Sequence, residues 1–121
     1  MTSAKMKFEE VLGEELSGHP YFYELILKMV KLHSDKNKDY SHANPLGNLY
    51  ECERAGVDSI TGVMVRLSDK YARAMNLNRK RLKNEEPAVL NEKMEDTLLD
   101  NAVYSLMGII LLYEDEENES H

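Results

Sequence analysis

The sequence predicts an all-α protein: an antiparallel bundle of four to five helices with a long C-terminal helix at its centre. Four observations carry that reading. Apolar residues recur at three- and four-residue steps in each long stretch, and no convincing strand pattern appears. Strong breakers, among them His19-Pro20, Asn44-Pro45, Gly56 and Glu86-Pro87, separate these stretches. The connections are short, which makes neighbouring helices antiparallel. Finally, Glu92 to Tyr113 contains no proline and is apolar on nearly every side, the mark of a buried helix.

The elements follow in order. Residues 1–18 place Phe8, Val11, Leu12 and Leu16 among glutamates, giving a short amphipathic helix that Gly18 ends. Pro20 suits the first turn of the second helix, about Tyr21 to Lys38, whose stripe is Phe22, Leu25, Ile26, Met29 and Leu32. That stripe continues onto His33, Lys36 and Tyr40, so its C-terminal end turns polar. Either this is a solvated helix end, or Lys36, Asp39 and Tyr40 line one end of a pocket. Ser41 to Gly47 reads as a loop and Asn48 to Ala55 as a short helix stopped by Gly56. Asp58 or Ser59 caps a long helix to about Leu82, with Ile60, Val63, Met64, Leu67, Tyr71, Ala74 and Met75 on its apolar face. Glu85 to Pro87 is a loop, and Asn91 is the expected cap of the final helix.

The 121 residues suit one domain, 1–121. With 42% hydrophobic and 31% charged residues, a packed core is feasible. The formal net charge is -7, but five of the 22 acids lie at 114–119; without them 17 acids face 15 bases, a net of -2. Residues 114–121 are therefore expected to be a disordered acidic tail, and general nucleic-acid binding is disfavoured. A single cysteine, Cys52, excludes an internal disulfide and fits a reducing compartment. No signal peptide or membrane span is visible, so a cytoplasmic location is expected. The seven methionines and the bare apolar helix suggest a homodimer or higher homo-oligomer.

Asp96 and Asp100 stand one turn apart, and Val103, Met107 and Ile110 continue their face. Carboxylates carried inward need a partner or a metal. Three readings stand: acids favoured near a helix N-terminus, a structural ion-pair network, or a Mg²⁺ site. Arg66, Lys70 and Arg73 form a cationic stripe on the preceding helix, with Asp69 at its edge. Such a stripe is either a solvated face or a set of phosphate-oxygen donors. Acids for Mg²⁺ facing cations for phosphates would make a polyphosphate site in which water attacks phosphorus. Tyr104 is either a core tyrosine or a group that stacks a base or donates to a carboxylate. The histidines show no metal-ligand spacing.

Three strings in order, Lys38-Asp39-Tyr40, Arg66-Leu-Ser-Asp69-Lys70-Tyr-Ala-Arg73 and Glu95-Asp-Thr-Leu-Leu-Asp100-Asn-Ala-Val-Tyr104, resemble the phage and bacterial family called nucleotide-modification-associated domain 1. More remotely, Asp100 to Tyr104 is similar to the second metal motif of the all-α nucleoside-triphosphate pyrophosphohydrolases, the MazG and dimeric dUTPase group. Here Asp96-x-x-x-Asp100 stands where that group has Glu-x-x-Asp, and no Glu-Glu-x-x-Glu faces it. The resemblance implies a nucleotide ligand, a (d)NTP, and Mg²⁺-dependent pyrophosphohydrolysis in a host cytoplasm. Asp96 and Asp100 would hold metal, supplemented by Glu53, with Asp69 as further ligand or base. Lys36, Arg66, Lys70 and Arg73 would hold phosphates, while Asp39, Tyr40 and Tyr104 would line the nucleotide. The alternatives are a non-catalytic nucleotide binder and a helical interaction protein with a structural charge network.

Overall fold

The computed structural model describes residues 3–39, 47–84 and 86–119. The chain is all-α: α1 (Ala4–Leu12), α2 (Pro20–Asp39), α3 (Gly47–Tyr50), a 3₁₀ turn (Glu51–Ala55), α4 (Ser59–Leu82) and α5 (Pro87–Glu119). No helix among the described residues is long and apolar enough to cross a membrane. Contacts gather the chain into two compact units, Met1–Ser41 and His42–His121, and each is taken by itself.

In the first unit Ser3 caps α1 by accepting from the Met6 amide, 3.2 Å away. The helix ends at Gly13, not at Gly18 as the sequence suggested. Gly13 takes the left-handed conformation (φ 73°) that lets its N–H reach the Glu9 carbonyl. Two glycines were available, and the first met already closes the helix. Phe8 packs against Tyr23 with ring centres 5.9 Å apart. The Ala4 amide donates to Glu24 of α2 at 3.0 Å.

The second unit is a long helical hairpin with a short cover. Asp58 caps α4 by accepting from the Thr61 amide at 2.8 Å. α5 begins at Pro87, four residues before the expected Asn91 cap, because proline is pre-set for a first helical turn. It also runs on to Glu119, so residues 114–119 are helical and not a disordered tail. Glutamate is a good helix former, nothing after Tyr113 breaks the pattern, and Glu114 is bonded to Tyr50.

α4 and α5 run antiparallel. Val63 lies beside Gly108, Arg66 beside Tyr104 and Lys70 beside Asp100, so each step up one helix matches a step down the other. The facing positions alternate three- and four-residue steps. They are Ile60, Val63, Leu67, Lys70, Ala74 and Leu77 on α4, and Leu90, Met94, Thr97, Asn101, Tyr104, Gly108 and Leu111 on α5, all buried or half-buried. This is the spacing of a two-helix seam. Leu111, Val63 and Leu49 form the buried core, with Tyr50, Ile60, Leu67, Tyr104 and Met107 packed against it. The 3₁₀ turn sits so close on α4 that a Cβ at Gly62 would come within 2.7 Å of Cys52 Sγ.

α5 is the long C-terminal helix expected of the bundle, but it is not buried all round. One side seats on α4, while Leu98, Leu106, Ile109, Leu112 and Tyr113 are 44–61% exposed. Apolarity on every side measures how much surface wants cover and leaves open what supplies it.

Tyr50 and Glu114 close the far end of the hairpin: the phenol donates to the carboxylate. That hydrogen bond first, then burial, then the Glu114 charge, push the phenol from 10.0 up to about 12. Folding therefore favours neutral Tyr50. The stability it contributes is complete below pH 10 and is lost as pH rises towards 12. Alkaline unfolding followed by circular dichroism should be steeper over that window in the wild type than in Tyr50→Phe.

Candidate functional site

Four predicted residues meet on one level of the α4–α5 seam. Lys70 Nζ donates to Asp100 Oδ2 at 3.1 Å, with side chains 26% and 32% exposed. Arg66 Nη1 donates to the Tyr104 hydroxyl at 3.1 Å. Both cations also stand over the Tyr104 ring, the guanidinium carbon 5.6 Å and the ammonium 5.3 Å from its centre, within cation–π reach. The helical steps explain the convergence. Arg66 and Lys70 are four apart on α4, Asp100 and Tyr104 four apart on α5, and antiparallel packing brings each pair level with the other.

Asn101, which the sequence reading passed over, shares this level from a seam position; its Oδ1 is buried and meets no donor among the described residues. Its three- and four-residue spacing from Thr97 and Tyr104 is the signal that would have marked it. The level thus carries two cations, one carboxylate, a phenol and an amide inside a mostly apolar seam.

The other predicted residues lie apart. Asp96 is exposed, as are Asp69 and Arg73 on the outer flank of α4. The expected inner face, Asp100-Val103-Met107-Ile110, is one residue out of phase with the seam. That is a rotation of about 100°, and it leaves Asp96 outside and Asp100 at the edge. Glu53 is exposed and accepts from Ser59 Oγ at 2.6 Å, at the start of α4. Asp96 lies level with about Ala74, roughly 22 Å along the helix from Ser59 at 1.5 Å per residue. Glu53, Asp96 and Asp100 therefore do not converge within this unit. Among the described residues no three of His, Cys, Asp and Glu gather as metal ligands. Lys36 lies exposed on α2 in the first unit. The Asp39 side chain and Tyr40 fall outside the described residues.

A cavity of about 270 Å³ adjoins the cluster, lined by Leu49, Cys52, Val57, Gly62 and Val63 together with Arg66. Arg66 therefore belongs both to the polar level and to an apolar hollow. Cys52 is half-buried there and points its Sγ at the Leu49 carbonyl, 3.4 Å away.

Protein-family models, curated proteins and solved structures give no match to this chain. The chemistry of the cluster has to speak for itself. Two cations share one ring and Lys70 alone is paired with the carboxylate, so the level carries a positive charge beyond what its own acid neutralises. It offers N–H donors to an anion and an aromatic face already occupied by cations.

Proposed function

We propose that the chain binds a phosphorylated nucleotide, with Arg66 and Lys70 holding phosphate oxygens and Arg73 adding charge from the outer flank. The single observation carrying this reading is the crowding of Arg66 and Lys70 over Tyr104 against one carboxylate. Like charges that close cost energy, which an arriving anion relieves. A guanidinium fork also suits phosphate oxygens. The apolar cavity that Arg66 shares is the natural place for a base.

Hydrolysis is the extended form of this proposal. It would need Mg²⁺ carried in on the polyphosphate, with Asp100, and Asp96 one turn away, as the available carboxylates. The family resemblance supports it; the distance from Glu53 weighs against a full acidic ligand set in one unit.

A second reading has its own observation. Lys70 occupies a seam position and is paired with Asp100, beside the buried Asn101. Polar residues at such positions fix the register of paired helices. On this reading the level is a registration device and binds nothing.

Calorimetric titration with a panel of NTPs, dNTPs and pyrophosphate, with and without Mg²⁺, separates these. Binding should weaken roughly 10- to 100-fold in Arg66→Ala, the value of one or two charge-assisted hydrogen bonds, at unchanged helicity. No heat from any ligand overturns the nucleotide reading. Released pyrophosphate that vanishes in Asp100→Asn would establish the enzyme.

A further inference from the structure

The outward side of α5 is a feature that neither reading uses. From Thr97 to Tyr113 the helix carries one charge, Asp100, and that side chain is turned to Lys70. Opposite the α4 seam stand Leu99, Ala102, Leu106, Ile109 and Tyr113, again at alternating three- and four-residue steps. Leu106, Ile109 and Tyr113 are 45%, 44% and 61% exposed; Leu98 and Leu112 beside them are 52% and 49% exposed. Their uncovered apolar surface is on the order of 500 Å², more than scattered surface residues leave.

We propose that this face is covered by the same face of a second copy, the two α5 helices running antiparallel about a twofold axis near Tyr104. The step pattern argues for another helix as occupant, because that spacing is what a facing helix reads as knobs and holes. It argues for a copy because the pattern is the same in both directions. Pairing Leu99 with Ile109 puts small Ala102 opposite large Leu106 and Glu95 opposite Tyr113, twice over, as an isologous interface requires. Charge fixes the direction. A parallel pair would lay Glu114, Asp115, Glu116, Glu117 and Glu119 beside their own copies, whereas the antiparallel pair sends the two acidic ends apart. The helix dipoles also favour the antiparallel arrangement. The exposed patch supplies over half of the roughly 800 Å² that each partner gives to a standard interface, and the side chains beside it supply the remainder.

The geometry makes the test specific. The full chain should sediment as a dimer at micromolar concentration. Leu106→Glu and Ile109→Glu should each raise the dimer dissociation constant at least 100-fold while the far-ultraviolet spectrum of the monomer stays helical. In a Cys52→Ser background, Glu95→Cys with Tyr113→Cys should cross-link copies on mild oxidation. Tyr113→Cys alone should not, because its copies lie roughly 27 Å apart along the helices. A wild type that is monomeric at every concentration overturns the proposal and leaves this face to the chain's own first unit or to a foreign partner. So does a dimer that survives both glutamate substitutions. Cross-linking by Tyr113→Cys alone overturns the antiparallel arrangement.

Discussion

Leu111→Ala is expected to destabilise the second unit by about 3 kcal/mol, the mid-range cost of a leucine cavity in a packed site. Leu111 is 2% exposed and meets Val63 (1%) and Leu49 (5%) where α5, α4 and α3 come together. The truncation removes three carbons from this junction. The surrounding side chains cannot collapse onto the gap, because α4 and α5 are held level by the seam on one side and by the Tyr50–Glu114 bond on the other. The comparison is Leu82→Ala at the end of α4, where the side chain is 67% exposed and the cost should stay below about 1 kcal/mol. Both are read from urea unfolding at one protein concentration, because any self-association would add a concentration-dependent term. Equal costs for the two variants would mean that the hairpin is not the packed unit described.

The fold class and the span of α4 were legible because their signals are local. Asp58 is a strong cap, Gly56 takes φ 81° just before it, and the stripe through Ile60, Val63 and Leu67 has a single helical phase. α5 was legible as a helix but not in its orientation. Three of its sides are apolar, so shifting the inner face by one residue costs nothing in periodicity. What decides the phase is non-local: Val63 packs beside Gly108, and Tyr104 finds Arg66. That one-residue error is also why Asp96 was expected indoors and why Asn101 went unnoticed, while the Tyr50–Glu114 pair was hidden because residues 114–121 read as a tail.

Of the four expected cations, Arg66 and Lys70 come together, while Arg73 lies on the outer flank of α4 and Lys36 in the first unit. Arg66 and Lys70 were read from a stripe at four-residue steps, and the same steps place them level with Tyr104 and Asp100. The acidic half needed Glu53 to come near Asp96. The chain between Glu53 and Ser59 is short enough that the 3₁₀ turn must lie near the start of α4, whereas the antiparallel hairpin puts Asp96 towards its end. Here the turn covers the start, through the Glu53–Ser59 bond, and the acids divide between the two ends of the hairpin.

Asp100→Asn is the substitution on which the readings of this cluster part in sign. If Lys70 is there to hold phosphate, Asp100 competes with the ligand for the ammonium. Neutralising it should tighten phosphate binding up to roughly tenfold, the value of about 1.4 kcal/mol. If Asp100 holds Mg²⁺, the same change removes a ligand, and binding in the presence of Mg²⁺ should fall by at least that factor. If the level only registers the helices, no ligand affinity changes and the effect is confined to stability. That stability cost is common to all three cases. Asparagine keeps the shape and an acceptor for Lys70 but loses the ionic attraction of a pair about one-third exposed, worth about 1 kcal/mol after solvent screening. Asp100→Ala also removes the acceptor and leaves Lys70 half-buried without this partner, so it should cost more, on the order of 2 kcal/mol. Calorimetry with pyrophosphate, run with and without Mg²⁺ on wild type and Asp100→Asn, reads the sign directly, and urea unfolding of the same samples confirms that the fold was kept.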